Sequence, residues 1–104
     1  MVYINIIRIN QKIGGIKLDQ VIIDVREPFE YKMGHVKGAK NIPLSKLDGS
    51  SELDSIKTDT PIIVYCASGN RSGMAMSLLK SKGYSNVVNG INKATVQAKY
   101  LSAS

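Results

Sequence analysis

The sequence predicts an α/β fold in which a central parallel sheet carries helices on both faces. Residues 21–25 and 62–65 are short runs of mostly β-branched apolar residues, the pattern of strands that are covered on both sides. Helix-like segments alternate with these strands, and this alternation favours parallel pairing through crossover helices. With 104 residues, the chain is expected to form one domain, residues 1–104.

Glycine and proline delimit the predicted elements of the first half of the chain. Gly14 and Gly15 mark a loop. Pro28 suits the first turn of a helix, Gly34 suits its end, and Pro43 closes a strand. The predicted elements are a strand at residues 2–8, a strand at 21–25, a helix at 28–33 and a short strand at 39–42.

The second half contains the best-defined helix of the chain. Apolar residues expected to face the core recur at helical spacing before Gly83, which stands where the helix ends. These residues are Met74, Ala75, Leu78 and Leu79. The predicted elements are a helix at residues 51–56, a strand at 62–65, a helix at 72–82, a short strand at 87–88 and a helix at 94–101.

Composition excludes several classes of protein. A hydrophobic fraction of 43% and a charged fraction of 21% are those of an ordinary folded globule. No uncharged apolar stretch approaches the ~20 residues that span a bilayer, and residues 1–8 lack the features of a secretory signal. We therefore expect a cytoplasmic protein with no membrane partner. The single cysteine fits a reducing compartment, and with one histidine it makes a structural zinc site unexpected.

The net charge of +6 raises the question of a nucleic-acid partner. The lysines are spread along the chain, without an arginine-rich run or interleaved aromatic residues. No nucleic-acid groove is therefore predicted, although the positive field would attract small anions.

Cys66 directly follows the predicted strand at residues 62–65 and precedes a small-residue loop that leads into a helix. Backbone N–H groups of such a loop, the positive end of the helix and Arg71 all favour negative charge, so we expect them to lower the thiol pKa and to bind an anion. Residues 24–26 also lie at the carboxyl end of a predicted strand, where parallel sheets bind ligands. The alternative is that Cys66 is a buried structural cysteine.

Three segments, in this order, resemble single-domain rhodaneses. They are residues 21–28 (VIIDVREP), residues 30–31 (EY) together with 34–44 (GHVKGAKNIPL), and residues 63–72 (IVYCASGNRS). The resemblance extends over about residues 20–91. It implies a rhodanese-like α/β fold with a central parallel sheet of about five strands. It also implies a sulfurtransferase that carries a persulfide on its loop cysteine and uses no metal or organic cofactor.

By this resemblance Cys66 accepts and donates the sulfur, and the loop amides surround it. The loop residues are Ala67, Ser68, Gly69, Asn70 and Arg71. Asp24 and Arg26 would support the site, and Asp24 is expected to pair with Arg26 or Arg71. The partners would be small anionic sulfur donors, such as thiosulfate or a persulfide, and cyanide or thiol acceptors.

Some positions depart from the family pattern. Ala67 stands where members active on thiosulfate often have a basic residue, so thiosulfate is expected to be a poor substrate. Residues 89–94 resemble the glycine-pair and tryptophan region only in part, with one glycine missing and no tryptophan. His35 is expected to be a hydrogen-bonded structural residue, since the resemblance places it in a segment leading to a strand.

Two other functions remain open at this point. The first is a persulfide carrier, in which Cys66 relays sulfur between a protein donor and a protein acceptor. The second is a cysteine phosphatase, because such enzymes also close a cysteine loop with arginine. Four residues separate Cys66 from Arg71, one fewer than in the phosphatases, and the shorter loop favours a single sulfur atom over a phosphate.

Overall fold

The computed structural model describes residues 11–13, 16–18 and 20–101 of the chain. Two short strands, β1 (Gln11–Ile13) and β2 (Ile16–Leu18), pair antiparallel. The predicted strand at residues 2–8 and the predicted loop at Gly14 and Gly15 lie outside the described residues.

A four-stranded parallel sheet forms the centre of the fold, with its strands in the order β4-β3-β5-β6. The expectation of about five strands is therefore corrected to four for the sheet in the described residues, where β1 and β2 pair only with each other. The strands are β3 (Val21–Asp24), β4 (Lys40–Asn41), β5 (Ile62–Cys66) and β6 (Val87–Asn92).

Five helices connect and flank these strands in the described residues. They are α1 (Pro28–Met33), α2 (Leu44–Leu47), α3 (Ser51–Asp54), α4 (Asn70–Ser81) and α5 (Lys93–Tyr100). The bounds predicted for α1 are confirmed. Helix α4 begins two residues before the predicted start, and α3 ends two residues before the predicted end. In the part of the chain described, no helix has the length and apolar character needed to cross a membrane.

Helix α1 is defined by its local sequence. Pro28 occupies its first turn, and Glu27 and Glu30 form a reciprocal capping box. None of its residues is buried, so capping contributes to its stability more than core packing does.

The core lies in two layers, one on each face of the sheet. Side chains alternate along β5, so Val64 and Cys66 face one layer while Ile63 and Tyr65 face the other. The first layer includes residues of α2, α3 and α4, and the second includes Val96 of α5. Helices on both faces of the parallel sheet are therefore confirmed.

Helix α4 packs on the sheet through Ala75 and Leu79, both fully buried. Met74, predicted to face the core, is 58% exposed, so that prediction is wrong. The buried residues of α4 follow the spacing 72, 75 and 79, which places position 74 on a neighbouring face of the helix.

Strand β6 contains a bulge beside the carboxyl end of β5. Val64 pairs with Asn89 and Tyr65 pairs with Ile91, so Gly90 is an extra residue on β6. A Cβ atom at Gly90 would lie 2.6 Å from Val96 Cγ2 and 2.8 Å from Ile63 Cγ2, so only glycine fits here without displacing its neighbours. Ile91 then adopts a φ of 72°, a strained value for a β-branched residue.

Candidate active site

The sulfur of Cys66 lies beneath the loop that connects β5 to α4. The Gly69 N–H donates to Cys66 Sγ at 3.1 Å, and the Ser72 N–H donates at 3.4 Å. The Ser72 hydroxyl oxygen lies 3.3 Å from the same sulfur. Gly69, with a φ of 100°, has the left-handed conformation in which the loop turns back toward Cys66.

The thiol is buried, yet it faces hydrogen-bond donors. Cys66 is only 1% exposed and belongs to the same core layer as α4. Burial raises the pKa of the Cys66 thiol, but hydrogen bonds from the Ser72 side chain and from the N–H groups of Ser72, Gly69 and Ser68 outweigh it. The resulting pKa is about 7, below the ordinary 9.0. An inert structural cysteine in apolar surroundings would have a raised pKa instead.

Asn89 holds the inner side of the loop. Its Oδ1 accepts hydrogen bonds from the Ser72 hydroxyl at 2.7 Å and from the Ile91 N–H at 2.9 Å. Its Nδ2 donates to the Gly69 carbonyl at 3.2 Å. Sequence reasoning did not identify Asn89, because its position beside the loop depends on the pairing of β6 with β5.

Arg71 is paired with a carboxylate from α1. Its Nη1 and Nη2 donate to the two oxygens of Glu30 at 2.7 and 3.0 Å. The hydrogen bond from Arg71, followed by that from the Glu27 N–H, lowers the pKa of Glu30 to about 2. Glu30 neutralises much of the charge that Arg71 would offer an anion. Sequence reasoning did not place Glu30 in the site, although Glu30 belongs to the segments that resemble rhodaneses.

Asp24 and Arg26 lie at the same edge of the sheet, on the face opposite to the sulfur. Asp24 is fully buried, and its two oxygens accept Arg26 Nε and Nη2 at 2.7–3.1 Å. Arg26 Nη2 also donates to the Gly34 carbonyl, and its guanidinium stands over the Tyr65 ring. Burial raises the pKa of Tyr65 to about 12, and the nearby Asp24 contributes to the rise. The Asp24–Arg26 ion pair connects the carboxyl end of β3 to Gly34 and to the Tyr65 ring of β5, on the side of the sheet away from Cys66 Sγ.

The remaining predicted site residues are at the surface. Ala67, Ser68 and Asn70 are exposed, so the loop presents backbone groups inward and side chains outward. His35 is exposed, its Nδ1 lies 2.8 Å from the Tyr31 carbonyl, and its ring stacks on Tyr31 at 3.6 Å. Across the described residues, no three His, Cys, Asp or Glu side chains cluster as a metal site would require.

Comparison with known proteins identifies the family. The family model described as "Rhodanese-like domain" matches residues 9–92. The chain belongs to the rhodanese-like family. A solved structure described as a rhodanese with anions from Escherichia coli superposes on this rhodanese-like chain with a TM-score of 0.67. It is 34% identical, and the match covers 73% of this chain and 89% of the other.

Curated relatives of this rhodanese-like domain are longer than the matched segment. The protein YqhL of Bacillus subtilis strain 168 is 44% identical over 68 residues, which cover 65% of this chain and 52% of YqhL. Thiosulfate sulfurtransferase PspE of Escherichia coli strain K12 is 43% identical over 68 residues, which cover 64% of each protein. The match thus spans about half to under two thirds of these relatives. The name of PspE places a thiosulfate sulfurtransferase among the relatives of this chain.

Proposed function

We propose that this rhodanese-like domain is a sulfurtransferase that carries a sulfane sulfur as a persulfide on Cys66. The observation that carries the proposal is the position of Cys66 Sγ, which is buried under the loop and receives N–H donors from Gly69 and Ser72. Donors fixed in this way stabilise negative charge on sulfur without rearrangement, in the manner of an oxyanion hole. Neither step of the proposed cycle uses a cofactor.

In the first step, the Cys66 thiolate attacks the outer sulfur of a thiosulfate or persulfide donor. A new S–S bond forms to Cys66 Sγ, and the old bond breaks with its electron pair leaving on sulfite or on a thiolate. The cysteine persulfide keeps one negative charge on its outer sulfur. The N–H groups of the loop, residues 67–71, are the donors available to that charge.

In the second step, a nucleophilic acceptor removes the outer sulfur. Cyanide or a thiolate attacks it, the persulfide S–S bond breaks, and the electron pair returns to Cys66 Sγ. The product is thiocyanate or a new persulfide, and the enzyme recovers its thiolate. The two half-reactions form a ping-pong cycle.

Charges around the loop favour a persulfide donor over thiosulfate. Arg71 is the cationic side chain of the loop, and Glu30 binds both of its terminal nitrogens. Ala67 adds no second cation. A dianion such as thiosulfate therefore gains little side-chain charge here, whereas the sulfur group of a persulfide brings at most one negative charge to the loop. The same observation favours a second candidate function, a carrier that receives sulfur from a protein donor and passes it to a protein acceptor.

A cysteine phosphatase is less compatible with this loop. The Gly69 N–H already lies 3.1 Å from the sulfur, and the four residues between Cys66 and Arg71 leave a short arc for a ligand. An arc of that size fits one additional sulfur atom better than a tetrahedral phosphate. Hydrolysis of an aryl phosphate by the wild type and not by Cys66→Ser would restore this alternative.

Intact-mass measurement tests the proposed function. The protein is incubated with thiosulfate or with glutathione persulfide, and the mass is recorded before and after treatment with a reductant. We expect a gain of one sulfur atom that the reductant removes, faster with the persulfide, and no gain in Cys66→Ser. Sulfur transfer to cyanide that persists in Cys66→Ser would overturn the assignment. Fast loading combined with slow turnover on small acceptors would favour the carrier.

A further inference from the structure

The Ser72 hydroxyl stands between two acceptors and has one hydrogen to donate. Its oxygen lies 2.7 Å from Asn89 Oδ1 and 3.3 Å from Cys66 Sγ. Because a hydroxyl donates one hydrogen bond at a time, it cannot serve both partners fully. The Ser72 hydroxyl must therefore donate either to Asn89 Oδ1 or to Cys66 Sγ.

The orientation of the Asn89 amide is fixed by its other contacts. Oδ1 accepts the Ile91 N–H at 2.9 Å, and Nδ2 donates to the Gly69 carbonyl at 3.2 Å. A flipped amide would place its NH₂ against an N–H and its oxygen against a carbonyl oxygen. Ser72 therefore faces an oxygen that only accepts, and its hydroxyl donates to Asn89 while the sulfur is a thiol that can itself donate to Ser72.

Ionisation of the sulfur reverses this arrangement. A thiolate has no hydrogen to give, so a hydroxyl still directed at Asn89 would present its oxygen lone pairs to a negative charge. Turning the hydroxyl to the sulfur removes that repulsion and makes a charge-assisted hydrogen bond. Asn89 Oδ1 is not left unpaired by the turn, because the Ile91 N–H still donates to it.

We propose that the Ser72 hydroxyl is a two-position donor, bonded to Asn89 when Cys66 Sγ is uncharged and to the sulfur when it is a thiolate. Ser72 then acts on a reacting atom, and Asn89 is a positioning residue that competes for the same hydrogen. Because Asn89 Oδ1 competes for this hydrogen, it reduces the stabilisation that the Ser72 hydroxyl gives to the thiolate.

This inference rests on the proposed function for its role in catalysis. In the persulfide the negative charge sits on the outer sulfur, so the hydroxyl returns to Asn89. When the acceptor takes the outer sulfur, the S–S bond breaks and its electron pair collects on Cys66 Sγ, and the hydroxyl turns toward it. Ser72 thereby stabilises the leaving group of the sulfur-delivery step.

A double-mutant cycle on the thiol pKa tests the switch. The pKa is taken from the pH dependence of alkylation by iodoacetamide in wild type, Ser72→Ala, Asn89→Ala and the double variant. We expect Ser72→Ala to raise the Cys66 pKa by about one unit, since a hydrogen bond to the thiolate is lost. Asn89→Ala should lower it by about half a unit, because the hydroxyl is released to the sulfur. In the Ser72→Ala background the same Asn89 change should have no effect.

Controls separate the switch from a loosened loop. Ser81→Ala removes an exposed hydroxyl of α4 that bonds the Leu78 carbonyl, and it should leave the Cys66 pKa unchanged. If Asn89→Ala fails to fold, Asn89→Leu replaces it, because leucine keeps the size and lacks both polar groups. The variants leave in place the charged and titratable groups at this edge of the sheet, which are Asp24, Arg26, Glu30, Tyr65, Arg71 and Lys93.

The outcomes distinguish this inference from the proposed function. A raised pKa in Asn89→Ala, or an equal shift in both Ser72 backgrounds, overturns the switch even if sulfur transfer is observed. A coupled shift with no gain of sulfur by the wild type supports the switch for the thiolate and refutes the sulfurtransferase. A coupled shift together with slower sulfur delivery from persulfidated Ser72→Ala supports both.

Discussion

Replacing Gly90 with alanine tests whether close packing of the β6 bulge against β5 and α5 requires glycine at this position. The added Cβ would lie 2.6 Å from Val96 Cγ2, 2.8 Å from Ile63 Cγ2 and 3.3 Å from the Val64 carbonyl oxygen. Carbon atoms in favourable contact are ~3.5–4.0 Å apart, so both methyl groups would have to move by ~1 Å. Extra methyl groups in a packed core cost ~1–3 kcal/mol, and two simultaneous overlaps place this change near ~3 kcal/mol.

Thermal unfolding followed by circular dichroism measures the effect. For a domain of this size, ~3 kcal/mol corresponds to a fall in the melting temperature of ~15 °C. Gly73→Ala is the matched control, since its Cβ would lie 3.6 Å from Asn89 Nδ2, an ordinary contact, within a helix. That change should raise stability by ~1 kcal/mol through helix propensity.

A second substitution identifies the contact responsible. Val96→Ala removes the methyl group closest to the new Cβ, so Gly90→Ala should cost less in that background than in the wild type, by ~1 kcal/mol or more. If Gly90→Ala melts within ~3 °C of the wild type, the close approach of β6 to α5 does not require glycine and the steric reasoning is refuted.

Three further results are expected. The pKa of Glu30 is about 2 in the folded protein against an ordinary 4.5, so its ion pair with Arg71 stabilises above pH 4.5 and is lost as the pH falls toward 2. In urea unfolding, Glu30→Gln should therefore have a lower free energy of unfolding than the wild type above pH 4.5. The two free energies should converge as the pH falls to about 2. Ile91→Gly should raise the free energy of unfolding by ~1 kcal/mol, because a left-handed conformation of a β-branched residue costs ~1–2 kcal/mol; an unchanged or lower urea midpoint would contradict this. Alkylation of Cys66 should rise with pH around a midpoint of about 7, and a midpoint near 9.0 would show that the loop does not stabilise the thiolate.

The parts of the fold that the sequence predicts well are those specified by neighbouring residues. β5 is a continuous apolar run and β3 is apolar up to Asp24, as expected of strands with both faces covered. α1 has its proline and capping box within a few residues. β6 was predicted at residues 87–88 but extends to Asn92. Polar residues and glycine interrupt its pattern, since Asn89 holds the loop, Gly90 forms the bulge and Asn92 caps α5.

In the candidate site too, the features that are local in sequence are predicted and the contacts between distant residues are not. Cys66 and its loop are consecutive in sequence, so their chemistry could be inferred from position alone. Glu30 is 41 residues from Arg71 and Asn89 is 17 residues from Ser72, and no periodicity reports contacts of that kind. Asp24 pairs with Arg26, one of the two pairings expected. Arg71 pairs instead with Glu30 of α1, whose place beside the loop depends on the whole sheet.

The depth of the sulfur has a consequence for which electrophiles it meets. With 1% of Cys66 exposed, a reagent must pass the loop before it reaches the thiolate. A slender donor can extend a terminal sulfur inward while its body stays outside, whereas a glutathione disulfide presents its sulfurs flanked by two bulky arms. We therefore expect the fold to disfavour mixed disulfides by shape, so that the Cys66 thiolate reacts more slowly with oxidised thiols than with slender donors.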